Sequence, residues 1–219
     1  MPKKKTSKSK IKKEIKKLSN SVTKLLDAAK VKYKTLEHKV VFTAHDVSAT
    51  TKKKLSEIAK VVLVKVTGTQ TVIASPEALR GARQSKKKIA SDALAMTNKD
   101  YFVLIVLPAG KYVDLKAVQK ALSSAKGGSL PAGQAGTFGG KKVSMASEKD
   151  ITKYLKTKVG LLHPFGSEYN LQTLLDKNLS RAKKMIASAG TYTHSIELSL
   201  KDFEKLVKPI KGAFAKAKR

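Results

Sequence analysis

Cysteine and tryptophan are both missing from this 219-residue chain. Without cysteine there can be no disulfide, no Cys-based zinc site and no thiol nucleophile. Aromatic residues reach only 5%, so a core must be built mainly from Val, Leu, Ile and Ala. No apolar run approaches the ~18 residues that a spanning helix needs. The Lys-rich start is followed by no apolar signal core, so neither export nor a membrane partner is expected and the cytoplasm is the expected compartment. Acidic residues are also scarce: 16 Asp and Glu stand against 46 Lys and Arg, a formal charge of +30.

What is present fits one domain with basic ends. Apolar residues make up 41% and charged residues 28%, enough for a real core under a wet surface. Residues 1–17 hold nine Lys and one Glu, and residues 201–219 hold seven basic and two acidic side chains. The remaining excess is spread over the body. Such a field attracts polyanions and releases their counterions, which favours a nucleic-acid partner over a solubility device without naming it.

Residues 1–10 form a Lys/Ser/Thr run that can bury nothing. Ile11, Ile15, Leu18, Val22, Leu25, Leu26 and Ala29 then recur at helical spacing and predict an amphipathic helix. Residues 58–66 and 101–107 are nearly continuous apolar runs rich in β-branched side chains, as expected of strands buried on both faces. Shorter strands are expected at 31–36, 143–146, 185–189 and 194–198. Helices are expected to begin near Asp114, Ser147 and Ser199, where Ser147-x-x-Asp150 and Ser199-x-x-Asp202 both read as capping boxes. Residues 67–100 read as a surface excursion with a helix around 77–96, and 123–141 as a Gly-rich loop. The expected boundaries are a tail and helix start over 1–19, one domain over 20–211 and a basic tail over 212–219. Strands interspersed with helices predict a mixed α/β or α+β domain around one sheet.

Several chemistries fail on spacing. A phosphate-binding loop ending at Gly140-Lys141 would need Gly at Ala135 and Ser or Thr at Lys142. His38, His45, His163 and His194 form no HExxH or other close metal pair, so no metal is expected, and no GxSxG elbow is present. Three patterns remain. Lys60 lies inside an apolar strand, where a cation must face a ligand or reach solvent. Gly160-Leu161-Leu162-His163-Pro164-Phe165-Gly166 is a rigid turn able to present backbone N–H groups, or else an ordinary connection. Gly190 permits close backbone approach just before His194, and that histidine is either structural or functional.

In this order the segments resemble the YbaK/ProX family and the related editing domain of bacterial prolyl-tRNA synthetases. The matching stretches are LLDAAKVKYKTLEH (25–38), IAKVVLVKV (58–66) and YFVLIVLPAGKYVDLKAVQKAL (101–122). They continue with VSMASEKDITKYL (143–155), GLLHPFG (160–166) and ASAGTYTHSIELSLKDFEKL (187–206). The resemblance implies a single compact α+β domain, a mixed β-sheet flanked by helices, with insertions at 67–100 and 123–141. It also implies hydrolysis of the ester of mischarged aminoacyl-tRNA, typically tRNA(Pro) carrying Ala or Cys, with no cofactor.

Under the resemblance, Lys60, Gly160 and His194 are the catalytic positions. Leu161, Leu162, His163, Pro164 and Gly190 bound the substrate. The family's Asp in its VDL segment falls on Asp114, where a helix cap is the expectation from the residues themselves. Val61 replaces a common small hydroxyl residue, and His163 stands where Ser or Thr is commoner. Arg80, Arg83, Lys86, Lys87 and Lys88, with the basic ends, are expected to hold tRNA without sequence readout. A prolyl-tRNA synthetase is a possible further partner. A non-catalytic tRNA- or RNA-binding module on the same fold is the alternative.

Overall fold

The computed structural model describes residues 21–73, 94–98, 100–124 and 138–217. The basic run 1–17 and the cluster Arg80, Arg83, Lys86, Lys87 and Lys88 lie outside the described residues.

The described residues open with a helix over 21–28 (α1) that buries Val22 and Leu26, four apart on one face. Strand β1 (Tyr33–Glu37) and helix α2 (Ala44–Thr51) follow. The long strand β2 (Ala59–Ile73) is the axis of the larger sheet. One edge pairs antiparallel with β4 (Tyr101–Pro108), and the same ladder continues onto β3 (Leu94–Asn98). The opposite edge takes β6 (Phe138–Met145), with a register shift between Thr67 and Gly68. Beyond β4, strands β7 (Gln172–Asp176) and β10 (Ile210–Gly212) add in parallel, so the sheet is mixed. Every residue of β4 is buried, which explains its unbroken apolar sequence. Val103, Ile105 and Leu107 pack with Val118 and Leu122 of helix α3 (Leu115–Ser124). Leu104 faces the other way, onto Ile151 of helix α4 (Glu148–Leu155) and Leu162.

A second sheet is antiparallel, with β9 (His194–Ser199) between β1 and β8 (Lys184–Ser188). A parallel bridge from Ile58 to Ile186 joins it to the start of β2. Helix α5 (Leu200–Val207) places Leu200 and Phe203 beneath this sheet, in a core shared with Val22, Leu26 and Phe165. A short pair, β5 (Tyr112–Val113) and β11 (Ala215–Lys216), completes the fold. The molecule is therefore the α+β domain around a mixed sheet that the sequence implies.

Several expectations need correction. The excursion at 67–100 is shorter than expected: β2 continues to Ile73, and 94–96 belong to strand β3 rather than a helix. The Gly-rich loop likewise loses its ends to α3 and β6. Of the expected basic tail over 212–219, residues 212–216 belong to the fold, because β10 and β11 pair within it and Phe214 is 1% exposed in the core. Ser147 and Asp150 do form a reciprocal capping box, and Thr43 with Asp46 forms another on α2. Ser199 makes no such side-chain cap. Asp114 Oδ1 accepts from the N–H groups of Lys116 and Ala117, 3.0 and 3.2 Å away, so this residue caps α3.

Candidate active site

A cavity of about 460 Å³ opens where the first residues of β2 meet the segment before α2, the Gly160 turn and the edge of the small sheet. Backbone bonds stitch these pieces together. His38 N–H donates to Thr193 O and Val41 N–H to Tyr192 O, both at 2.9 Å. Tyr192 Oη donates to Val159 O at 3.3 Å, and its ring lies 5.0 Å from that of Phe42. Most of the wall is apolar, from Val41, Val61, Leu63, Ile151, Leu162 and Ile186 among others. Phe42 and Met145 also line it yet are 67% and 53% exposed, so they form the mouth. Such a concave, largely apolar site with few polar groups is what a small-molecule moiety requires.

Lys60 lines this cavity. Strand alternation puts its side chain with Val62 and Val64, and its ammonium donates to Lys111 O and sits 5.0 Å from the Tyr112 ring centre. Partial burial lowers its pKa. The ammonium is thus held by the turn between β4 and β5, whose Lys111 and Tyr112 do not themselves line the cavity.

Gly160 also lines the cavity and has φ +85°. A Cβ there would lie 3.2 Å from Phe42 O, so the turn needs glycine for its conformation and its close approach. Gly160→Ala is expected to cost about 1–2 kcal/mol of stability by chemical denaturation, the usual left-handed penalty.

The rest of the turn divides. Leu162 faces the cavity, whereas Leu161, His163 and Pro164 are buried and do not line it. His163 stacks on Tyr169 at 4.4 Å and lies 5.9 Å from Phe165. Its Nδ1 has no hydrogen-bond partner among the described residues, and burial pushes its pKa down to about 4. This histidine packs in the core rather than on the cavity wall.

His194 does not line the cavity either. Its Nδ1 is 2.8 Å from Thr193 Oγ1 and 3.4 Å from Thr191 Oγ1. Gly190, at φ +83°, shapes this turn and donates its N–H to Ser188 Oγ at 3.1 Å, but is also outside the lining. Alternation along β9 is the reason: Ser195, one residue on, turns into the cavity instead. The histidine that reaches the cavity is His38, just past β1. His38 Nε2 lies 2.9 Å from Ser195 Oγ, across 157 residues of sequence, and Nδ1 lies 2.9 Å from Lys39 O. Only the alternation of 194–198 hinted at Ser195, and nothing local distinguished His38.

Comparison with known proteins adds the following. The model of the aminoacyl-tRNA editing domain matches residues 73–206, a range that begins after Lys60. The prolyl-tRNA editing protein ProX of Acetoanaerobium sticklandii is 28% identical over 109 residues. That match covers 48% of this chain and 57% of the ProX protein, so the chain spans little more than half of its relative's length. Among solved structures, the hypothetical protein APE2540 superposes with a TM-score of 0.62 at 15% identity, covering 89% of this chain and 99% of its own. A protein suggested to be a trans-editing enzyme for prolyl tRNA synthetase gives 0.60 at 13% identity, covering 91% and 98%. At such identities the superpositions speak for the fold alone. Among the described residues, no helix is long and apolar enough to cross a membrane.

Proposed function

Since this chain belongs to the family of aminoacyl-tRNA editing domains, with YbaK/ProX proteins as its relatives, we propose that it is a trans-editing deacylase. It would hydrolyse the ester linking a wrong amino acid to the 3′ end of tRNA, with tRNA(Pro) carrying Ala or Cys as the favoured substrate. The observation that carries this reading is the apolar cavity with Lys60 and Gly160 on its wall. An uncharged, modest side chain suits such a wall, since a buried unpaired charge is costly. Lys60 would leave the Lys111 carbonyl for a phosphate or ribose oxygen of the terminal nucleotide, and backbone N–H groups of the Gly160 turn would meet the ester carbonyl. Lys60 and the Gly160 turn would contribute position and electrostatics, with a ribose hydroxyl assisting. The strongly basic chain supports RNA as the partner that brings the ester.

A panel of mischarged tRNAs, with release of the amino acid as readout, tests the reading. Lys60→Ala is expected to lower kcat/KM at least about tenfold, the loss of one charge-assisted contact, with an unchanged circular dichroism spectrum. Full activity in that variant would remove Lys60 from the site. The second reading, a non-catalytic RNA-binding module, draws on the Lys60 ammonium already being bonded to Lys111 O. Retained tRNA binding without turnover on any substrate would select it.

A further inference from the structure

We propose that His38 and Ser195 form the proton-accepting couple of this cavity, the group that activates the attacking water; the proposal rests on the deacylase reading. The chemistry of the partners fixes the direction of the bonds. A carbonyl oxygen can only accept, so the proton on the 2.9 Å contact to Lys39 O must sit on His38 Nδ1. Neutral His38 then presents a bare Nε2, and the hydroxyl of Ser195 must donate to it across 2.9 Å. A base whose far nitrogen is fixed by an acceptor and whose near nitrogen holds a hydroxyl is the arrangement that activates an oxygen nucleophile. Both residues line the cavity; Ser195 is 2% exposed and His38 is half-buried.

The step balances as follows. Water oxygen bonds to the ester carbonyl carbon while its proton passes to Ser195 Oγ, and the Ser195 proton passes to His38 Nε2. Collapse of the tetrahedral intermediate breaks the bond to the ribose oxygen. The proton returns from Nε2 through Ser195 Oγ to that oxygen, leaving the free amino acid and an uncharged tRNA 3′ end. Ser195 is the group that touches the reacting water, and His38 acts through it.

Other ionisable groups surround the pair. Glu37 and Lys39 flank His38, and His194 is the register partner of Glu37 on β9. Lys60 and Glu148 lie on the cavity wall, His45 and Asp46 stand on α2 beside its lining residues, and Lys158 precedes the Gly160 turn. None of these is bonded to the imidazole, whose two ring nitrogens are taken by Lys39 O and Ser195 Oγ.

Two measurements test the couple. Nitrogen-15 NMR of the wild-type imidazole is expected to show a protonated Nδ1 and an unprotonated Nε2; the opposite tautomer overturns the proposal whatever the activity. In single-turnover deacylation, Ser195→Ala and His38→Gln are each expected to slow the step about 100-fold with tRNA affinity unchanged, the usual worth of general-base help. The acid limb of the wild-type pH–rate profile is expected to vanish in His38→Gln, which a merely structural role would not produce. Ser195→Ala at the wild-type rate overturns the couple and leaves the deacylase standing. A wild-type protein that hydrolyses no aminoacyl ester overturns both.

Discussion

Lowering the pH from neutrality is expected to cost this fold about 2 kcal/mol by about pH 5 and about 3 kcal/mol by about pH 4, through His163 alone. The imidazole is buried against Tyr169 and Phe165, and burial brings its pKa from 6.5 down to about 4. An unfolded chain takes up a proton there below about 6.5. The folded chain does so only below about 4, so between these values the unfolded state binds more protons and stability falls as pH falls. The stabilisation is complete above the unfolded value and lost on acidification. Glu197, held below its ordinary range chiefly by its bonds to Lys53 and Lys184, loses its share at lower pH, as do Asp46, Asp100 and Asp150. Urea titrations of wild type and His163→Phe at a series of pH values isolate the effect. Phenylalanine keeps a planar ring on Tyr169 and removes the unpartnered nitrogen, so its stability is expected to stay nearly flat over this window. Equal slopes for the two proteins would refute the assignment.

His163 also illustrates what the sequence could and could not disclose. A histidine in a Gly- and Pro-bounded turn looks like a group held out to a ligand, because the turn is visible and the wall behind it is not. Tyr169, which provides the stacking surface, is only six residues on, yet its direction depends on the 3₁₀ turn Gly166–Tyr169. The strands 58–66 and 101–107 were legible because burial on both faces demands continuous apolar sequence. The capping box at Ser147 was legible because it is a local exchange of bonds over three residues. Strands β7, β10 and β11 were not foreseen: they are short, and their pairing partners lie far away in sequence. The candidate site followed the same rule. Lys60 and Gly160 stand out in their own segments. His194 drew notice as a titratable residue, while one step of strand phase gave the cavity to Ser195.

Removing the carboxylate of Asp176 is expected to be among the most damaging single changes in the molecule, at about 3–5 kcal/mol for Asp176→Ala, since bonds to a charged group are worth about 1.5–3 kcal/mol each. Asp176 ends β7 and is fully buried. Its Oδ2 accepts from the N–H groups of Phe214 and Ala215 at 2.7 and 2.8 Å. Its Oδ1 accepts from Asn178 N–H and Nδ2 at 2.8 and 2.9 Å. Alanine would leave the buried Phe214 N–H without an acceptor and loosen the chain that carries the Phe214 ring into the core beneath α3. Asp176→Asn keeps one acceptor oxygen but turns an amide N–H₂ toward N–H donors, so about 2–3 kcal/mol is expected to be lost. Urea unfolding measures the total, and hydrogen exchange at residues 213–216 locates it; a loss below about 1 kcal/mol would mean that water replaces the carboxylate. The consequence reaches the cavity. Phe214 O accepts from Asp114 N–H at 2.7 Å, and β11 pairs with β5, where Lys216 stands opposite Tyr112. Tyr112 and the adjoining Lys111 carbonyl are the groups that hold the Lys60 ammonium. A carboxylate buried at the end of β7 therefore supports, through the C-terminal strands, the turn that holds the Lys60 ammonium.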